Sequence, residues 1–185
     1  IPVSNGKWYW EVKTSGGGGY GLIGISDVQP SASNVEVGTD ANSYAMYGDT
    51  SGGAYGKIRT NDSMAVYAGS GGQYTTNDII GVYLDLDNNK LYFAKNGTVL
   101  NSGTGIDITA AASTTHGYYY AGASYWDSYA TYLFNFGGCS AFTVSSGNTD
   151  ANDCGNFEYD PSSGTFDSAS KDFLAICTKN LAEEG

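Results

Sequence analysis

One histidine, three prolines, three cysteines and eight basic residues are all that 185 positions hold of those types, and each shortage argues against a class of function. His116, in Thr114-Thr115-His116-Gly117, is the only imidazole, and no G-x-S-x-G elbow accompanies it, which argues against a Ser–His–Asp hydrolase. The cysteines form no Cys–His cluster, so a zinc site is not expected. Only 8 Lys and Arg stand against 19 Asp and Glu, a formal charge of -11 that repels phosphate backbones and speaks against nucleic acid as a partner. No apolar run approaches the ~20 residues of a membrane-spanning helix, so no membrane insertion is expected. The five glutamates, Glu11, Glu36, Glu158, Glu183 and Glu184, form no E-x-D-x-x-E strand motif of the kind a sandwich-fold glycosidase needs. The chain opens Ile1-Pro2-Val3 with neither initiator methionine nor signal-peptide pattern, as expected of a processed product or part of something longer.

What is abundant is glycine, with 27 residues, and tyrosine, with 16. Short strands joined by glycine-rich turns produce this profile, and period-2 patterning runs from Lys7 to Phe136. In Lys7–Lys13 the residues Trp8, Trp10 and Val12 share one face, while Glu11 and Lys13 fall on the other, predicting a half-buried antiparallel strand. Further strands are predicted over 20–26, 43–47, 64–68, 79–86 and 91–95. A last pair, over 118–126 and 129–136, reads as a hairpin around Asp127-Ser128. Asn88-Asn89 and Asn96-Gly97 supply residues that tolerate left-handed backbone angles at turns. No segment shows a helical period. The prediction is an all-β, two-sheet antiparallel β-sandwich.

Two motifs have bland readings that explain them better. Asp85-Leu86-Asp87-Asn88-Asn89 starts like a calcium loop, but Lys90 replaces the required glycine and Asn96 stands where the bidentate glutamate belongs. Turn chemistry accounts for it. Gly16–Gly21 contains G-x-G-x-x-G, yet a strand rather than a helix follows, so it reads as a surface loop. No metal and no cofactor is expected.

After Gly137 the composition changes to Gly, Ser, Asn and Asp before the apolar run Phe173–Cys177, which places a boundary between residues 1–137 and a loop-rich extension, 138–185. The extension either packs on the sandwich or leaves it, and Phe173–Cys177 is a final strand or an anchor. Cys139 and Cys154 bracket residues 140–153, a stretch too polar for a core of its own. A disulfide between them would stabilise the fold by about 3 kcal/mol in an oxidising location. Cys177 reads as an unpaired small hydrophobe.

Three blocks together resemble one family. GKWYWEV (6–12) followed by GLIGISD (21–27) is similar to the opening of a SPRY domain. DIIGVYLDLDNNKLYFAKNG (78–97) resembles that family's most recognisable stretch, and YYYAGASYW (118–126) with YLFNFG (132–137) resembles its closing strands. The resemblance implies a concanavalin-like sandwich that binds through loops at its edge, without catalysis. The segments 142–164 and 173–185 are similar to those following SPRY modules in structural proteins of marine tailed bacteriophages, with Thr165–Lys171 inserted. That likeness implies a virion or extracellular location, in a fibre or on a capsid surface, with other virion subunits or further copies of the chain as partners.

Candidate contact residues follow from the aromatic excess, because Tyr and Trp combine apolar area with a polar tip. Tyr44, Tyr47, Tyr55 and Arg59 lie in the weakly patterned stretch, and Tyr118, Tyr125, Trp126 and Tyr129 flank the last turn. Two functions fit such loops: subunit contact in a particle, and lectin-like recognition of surface glycans for host attachment. A polysaccharide hydrolase is the weakest reading.

Overall fold

The computed structural model describes residues 1–16, 21–28, 36–48, 53, 56–125, 130–168 and 171–184. Along the chain come β1 (Pro2–Val3), β2 (Lys7–Thr14), β3 (Gly21–Ser26), β4 (Ser43–Tyr47), β5 (Lys57–Thr60), β6 (Ser63–Val66) and β7 (Ile79–Asp85). Then follow β8 (Lys90–Lys95), β9 (Thr98–Val99), β10 (Ile106–Asp107), β11 (Tyr119–Tyr125), β12 (Tyr132–Asn135), β13 (Leu174–Ala175) and one helix, α1 (Thr178–Glu184). The first sheet has the order β1-β11-β3-β4-β5-β6 and the second β10-β8-β7-β2-β12, with β9 on β8 and β13 on β2. All registered pairs are antiparallel except β13 with β2. The two-sheet, almost wholly β organisation is the one that the patterning predicts.

The chain forms two compact units. The first comprises Ile1–Ser4, Thr14–Asp78 and Ile108–Tyr132, and the second Asn5–Lys13, Ile79–Asp107 and Leu133–Gly185. In the first unit, Ile23, Ile25, Tyr44, Met46, Ile58 and Tyr119 are buried, and Leu22, Val37, Ala45 and Tyr47 form a second cluster. Gly24 pairs with Ala45 on one side and Gly122 on the other. A Cβ there would overlap the Tyr44 carbonyl oxygen, so only glycine lets β3 and β4 approach this closely. The outermost strand, β6, is exposed along its whole length.

In the second unit, the pairs Trp8–Leu84, Trp10–Val82 and Val82–Phe93 alternate with Tyr9–Tyr83 and Tyr83–Tyr92 across β2, β7 and β8. Trp8 and Trp10 are fully buried, as their spacing predicts. Period 2 then places Tyr9, Glu11, Tyr83 and Tyr92 on the opposite face. That face is not open to solvent. Phe157, Phe166, Phe173 and Ala175 of the extension pack on it, with Tyr9–Phe157 and Tyr83–Phe166 ring centroids each 4.9 Å apart. The half-buried strand expected of β2 is therefore buried on both sides, and Glu11 has no exposed surface at all. The predicted turns hold, with Asn89 (φ 54°), Asn96 (φ 47°) and Gly97 (φ 79°) in left-handed conformation.

Three expectations need correction. First, β11 and β12 are not a hairpin: β11 pairs with β1 and β3, whereas β12 lies beside β2 in the other sheet. The small residues Ala121, Gly122 and Ala123 match Ile25, Gly24 and Ile23 of β3 in register, a closer-fitting partner than bulky Leu133 and Phe134. Second, a helix does form at Thr178–Glu184. Its two turns are too short for a 3.6-residue period to register, and it is anchored by buried Asn180, whose amide donates to Asp150 and to the Ala175 carbonyl. Third, the three cysteines are free, with no bond between Cys139 and Cys154: Cys139 is exposed, whereas Cys154 packs half-buried with Cys177 against the tyrosine cluster. Hydrogen bonds to Asp150 from the Asn152 and Cys154 N–H groups impose that direction.

Candidate functional site

Contact residues must be both ordered and reachable, and burial removes several of the sequence candidates. Tyr44 is buried, its hydroxyl accepting the Thr109 N–H at 3.0 Å and lying 3.1 Å from Thr109 Oγ1. Tyr47 is buried with Leu22, Val37 and Ala45. Arg59 is also buried, with its guanidinium 2.9 Å from Glu36 and 2.6 Å from Asp62. Burial works against that charge, but the Asp62 and Glu36 carboxylates outweigh it and raise the pKa. These three residues hold the first unit together and are not a contact surface. Arg59→Ala should lower stability by about 2–3 kcal/mol, less than a fully enclosed pair because Asp62 is exposed. Urea unfolding checks this, and a change below about 0.5 kcal/mol would contradict the structural role. Tyr55, Trp126 and Tyr129 lie outside the described residues.

What remains reachable centres on the start of β11. Tyr119 points into the first unit, with its hydroxyl donating to the Thr109 carbonyl at 2.7 Å and its ring edge-on to Tyr44. Burial pushes the Tyr119 phenol far above its ordinary range. Strand alternation then turns Tyr118 and Tyr120 the other way, half-buried, with ring centroids 5.1 Å apart and planes at 78°. His116, exposed, stacks on Tyr118 at 5.8 Å and 22°. Three rings thus form a row, with Pro2 of β1 the partner of Tyr120 in register.

The row is set on a stiff support. Buried Asp27 accepts the Thr115 N–H at 2.9 Å and Asn42 Nδ2–H at 3.2 Å, and His116 Nδ1 lies 3.0 Å from the Asp27 carbonyl oxygen. Thr114 Oγ1 donates to Ala111 O and accepts the Gly117 N–H, closing the turn that presents the histidine. The adjacent Tyr118 hydroxyl pushes the Tyr120 phenol up, so Tyr120 is a neutral donor and acceptor at ordinary pH. Tyr125 is 51% exposed at the far end of β11 but shares the parity of Tyr119, so it does not extend the row. Sequence reading found Tyr118 and passed over His116 and Tyr120. The His-x-Tyr-x-Tyr alternation was the available signal.

The arrangement offers flat aromatic area, phenol hydroxyls and one imidazole, but no nucleophile with an activating base. Among the described residues no group of three or more His, Cys, Asp or Glu side chains could hold a metal ion. Glu11, a fully buried carboxylate, is engaged by four donors: Tyr9 OH (3.1 Å), Asn135 Nδ2 (3.0 Å), Glu158 N (3.1 Å) and Tyr159 N (2.8 Å). Burial raises its pKa, and the Tyr159, Glu158, Asn135 and Tyr9 hydrogen bonds oppose that rise. It is a structural clamp.

The family model described as SPRY domain matches residues 7–138. The chain belongs to the SPRY domain family. A curated relative, Ran-binding protein 9 of Danio rerio, is 35% identical over 99 residues, which cover 52% of this chain and 15% of that protein. The chain thus corresponds to a small part of that relative's length. SPRY domains are generally non-catalytic interaction modules built as β-sandwiches, in keeping with the two antiparallel sheets found here. The matched span ends before Cys139, so Phe157, Phe166, Phe173 and the Glu11-binding amides of Glu158 and Tyr159 all lie beyond it.

Proposed function

We propose that this SPRY domain is a non-catalytic binding module that meets a protein partner through the His116–Tyr118–Tyr120 row. The observation that carries the reading is the accessibility of these rings, when most aromatic side chains of the described residues are withdrawn into the two units. Tyrosines locked on a strand contribute contact area at low entropic cost, and their hydroxyls satisfy polar groups at a rim. The formal charge of -11 favours a partner presenting basic groups around an apolar centre. The likeness of the extension to phage structural proteins supports the narrower form of this reading, in which the chain sits on a virion and the partner is a neighbouring subunit or another copy.

A photo-crosslinking amino acid at position 120 should then join the chain to a second protein subunit in intact particles. Tyr118→Ala with Tyr120→Ala should lower incorporation or partner affinity by roughly 30-fold, as expected for a pair of interface anchors. Unchanged incorporation of the folded double variant would sink the reading. Host glycans are the second reading, favoured by adjacent rings that suit stacking against a sugar face. A glycan array that binds wild type and not the double variant, with no protein crosslink, would establish it instead.

A further inference from the structure

One carboxylate positions two cysteines that are distant in the chain. Asp150 Oδ1 accepts the N–H groups of Asn152 (2.8 Å) and Cys154 (2.9 Å). Its Oδ2 accepts the Ala175 N–H and Asn180 Nδ2–H, each at 2.7 Å. Asn152 Nδ2 donates to Asn180 Oδ1 at 2.9 Å, and Asn180 N–H points at Cys177 Sγ, 3.5 Å away. The loop carrying Cys154 and the strand–helix junction carrying Cys177 are therefore tied together through buried Asp150 and buried Asn180. Both cysteines pack, half-buried, against the same tyrosine–phenylalanine cluster, and the Cys177 sulfur lies close enough to act on the Cys154 thiol. Cys139, exposed, takes no part.

We propose that Cys154 and Cys177 are a disulfide-forming pair, oxidised by low-molecular-weight disulfides such as oxidised glutathione, and that the bond locks the extension in the shape that covers the second sheet. One cysteine thiolate attacks a sulfur of oxidised glutathione and releases one glutathione thiolate. The second cysteine thiolate attacks the protein-side sulfur of the mixed disulfide and expels the other glutathione. One S–S bond breaks and one forms, two electrons pass to glutathione, and the two thiol protons end on its sulfurs. Burial, the Cys177 sulfur and the Asp150 carboxylate push the Cys154 thiol up, so oxidation is slow at neutral pH and accelerates as pH rises. The bond closes a loop through Phe157, Phe166 and Phe173, the residues that cover Tyr9, Tyr83 and Tyr92. It restricts, in the unfolded chain, the stretch that has to cover that face.

The test uses the full chain, folded, incubated with a glutathione redox buffer, blocked with an alkylating agent and mapped without reduction. The expected product links Cys154 to Cys177 and leaves Cys139 alkylated. Its thermal midpoint should lie roughly 5–10 °C above that of the reduced protein, and dithiothreitol should reverse the shift. Cys139→Ser should oxidise at the wild-type rate, whereas Cys154→Ser and Cys177→Ser, checked for fold by circular dichroism, should form no internal bond. A link to Cys139, a persistent glutathione adduct in place of the internal bond, or three thiols that stay alkylatable would each overturn the proposal. The Cys139→Ser result decides even if the other two variants fold poorly.

Discussion

A chain ended after Gly137 should not yield a soluble, cooperatively folded monomer, although it retains nearly all of the SPRY match. The cut removes Phe157, Phe166, Phe173 and Ala175 and uncovers Tyr9, Tyr83, Tyr92 and Ala94 on three central strands. Burying the three phenylalanines alone contributes roughly 5–9 kcal/mol. That is comparable to the whole stability of a typical domain, about 5–15 kcal/mol. The exposed face would also be a contiguous aromatic patch around a carboxylate that has lost the Glu158 and Tyr159 donors, and such patches associate. Size-exclusion chromatography and hydrogen exchange on the truncated and full chains measure the outcome. A monomeric truncated chain within about 2 kcal/mol of the full one would refute the claim that the extension completes the core.

Glu11→Ala should cost about 3–5 kcal/mol, the largest loss expected of any single exchange here. The substitution leaves the Tyr9 hydroxyl, the Asn135 amide and the Glu158 and Tyr159 N–H groups facing a void, and each unsatisfied buried donor costs about 1–3 kcal/mol before the site relaxes. Denaturant midpoints with an unchanged slope would report it, and a loss below about 1 kcal/mol would show that water replaces the carboxylate freely. Glu11→Gln tests the charge separately. Burial raises the Glu11 pKa above its unfolded value, so native protein holds the proton more tightly than unfolded chain does. The contribution of that linkage is full below the unfolded value of about 4.5 and is lost as pH rises through the higher folded value. The stability advantage of wild type over Glu11→Gln should therefore shrink from pH 4 upward and level off once Glu11 is ionised in both states. An advantage that grows across that window would mean that the four donors outweigh burial.

Local pattern alone carried most of the secondary structure. β2, β3, β4, β7 and β8 lie within a residue or two of their predicted bounds, because alternation and Asn or Gly turns are properties of neighbouring residues. The burial of Trp8 and Trp10 and the SPRY resemblance were legible for the same reason. Which strands pair was not: β11 and β12 stand either side of an apparent hairpin turn yet join different sheets, since pairing depends on the fit of remote strands such as β3 and β2. The contact row was only partly legible. Tyr44, Tyr47 and Arg59 carry the composition of a binding surface but are buried, while the alternation of His116, Tyr118 and Tyr120 is local and only the burial of Tyr119 shows which parity faces outward. Glu11 looked like a solvent-facing residue of a half-buried strand. What made it a buried clamp is a segment that begins more than a hundred residues later in the chain, and no local period records which distant segment will cover a face.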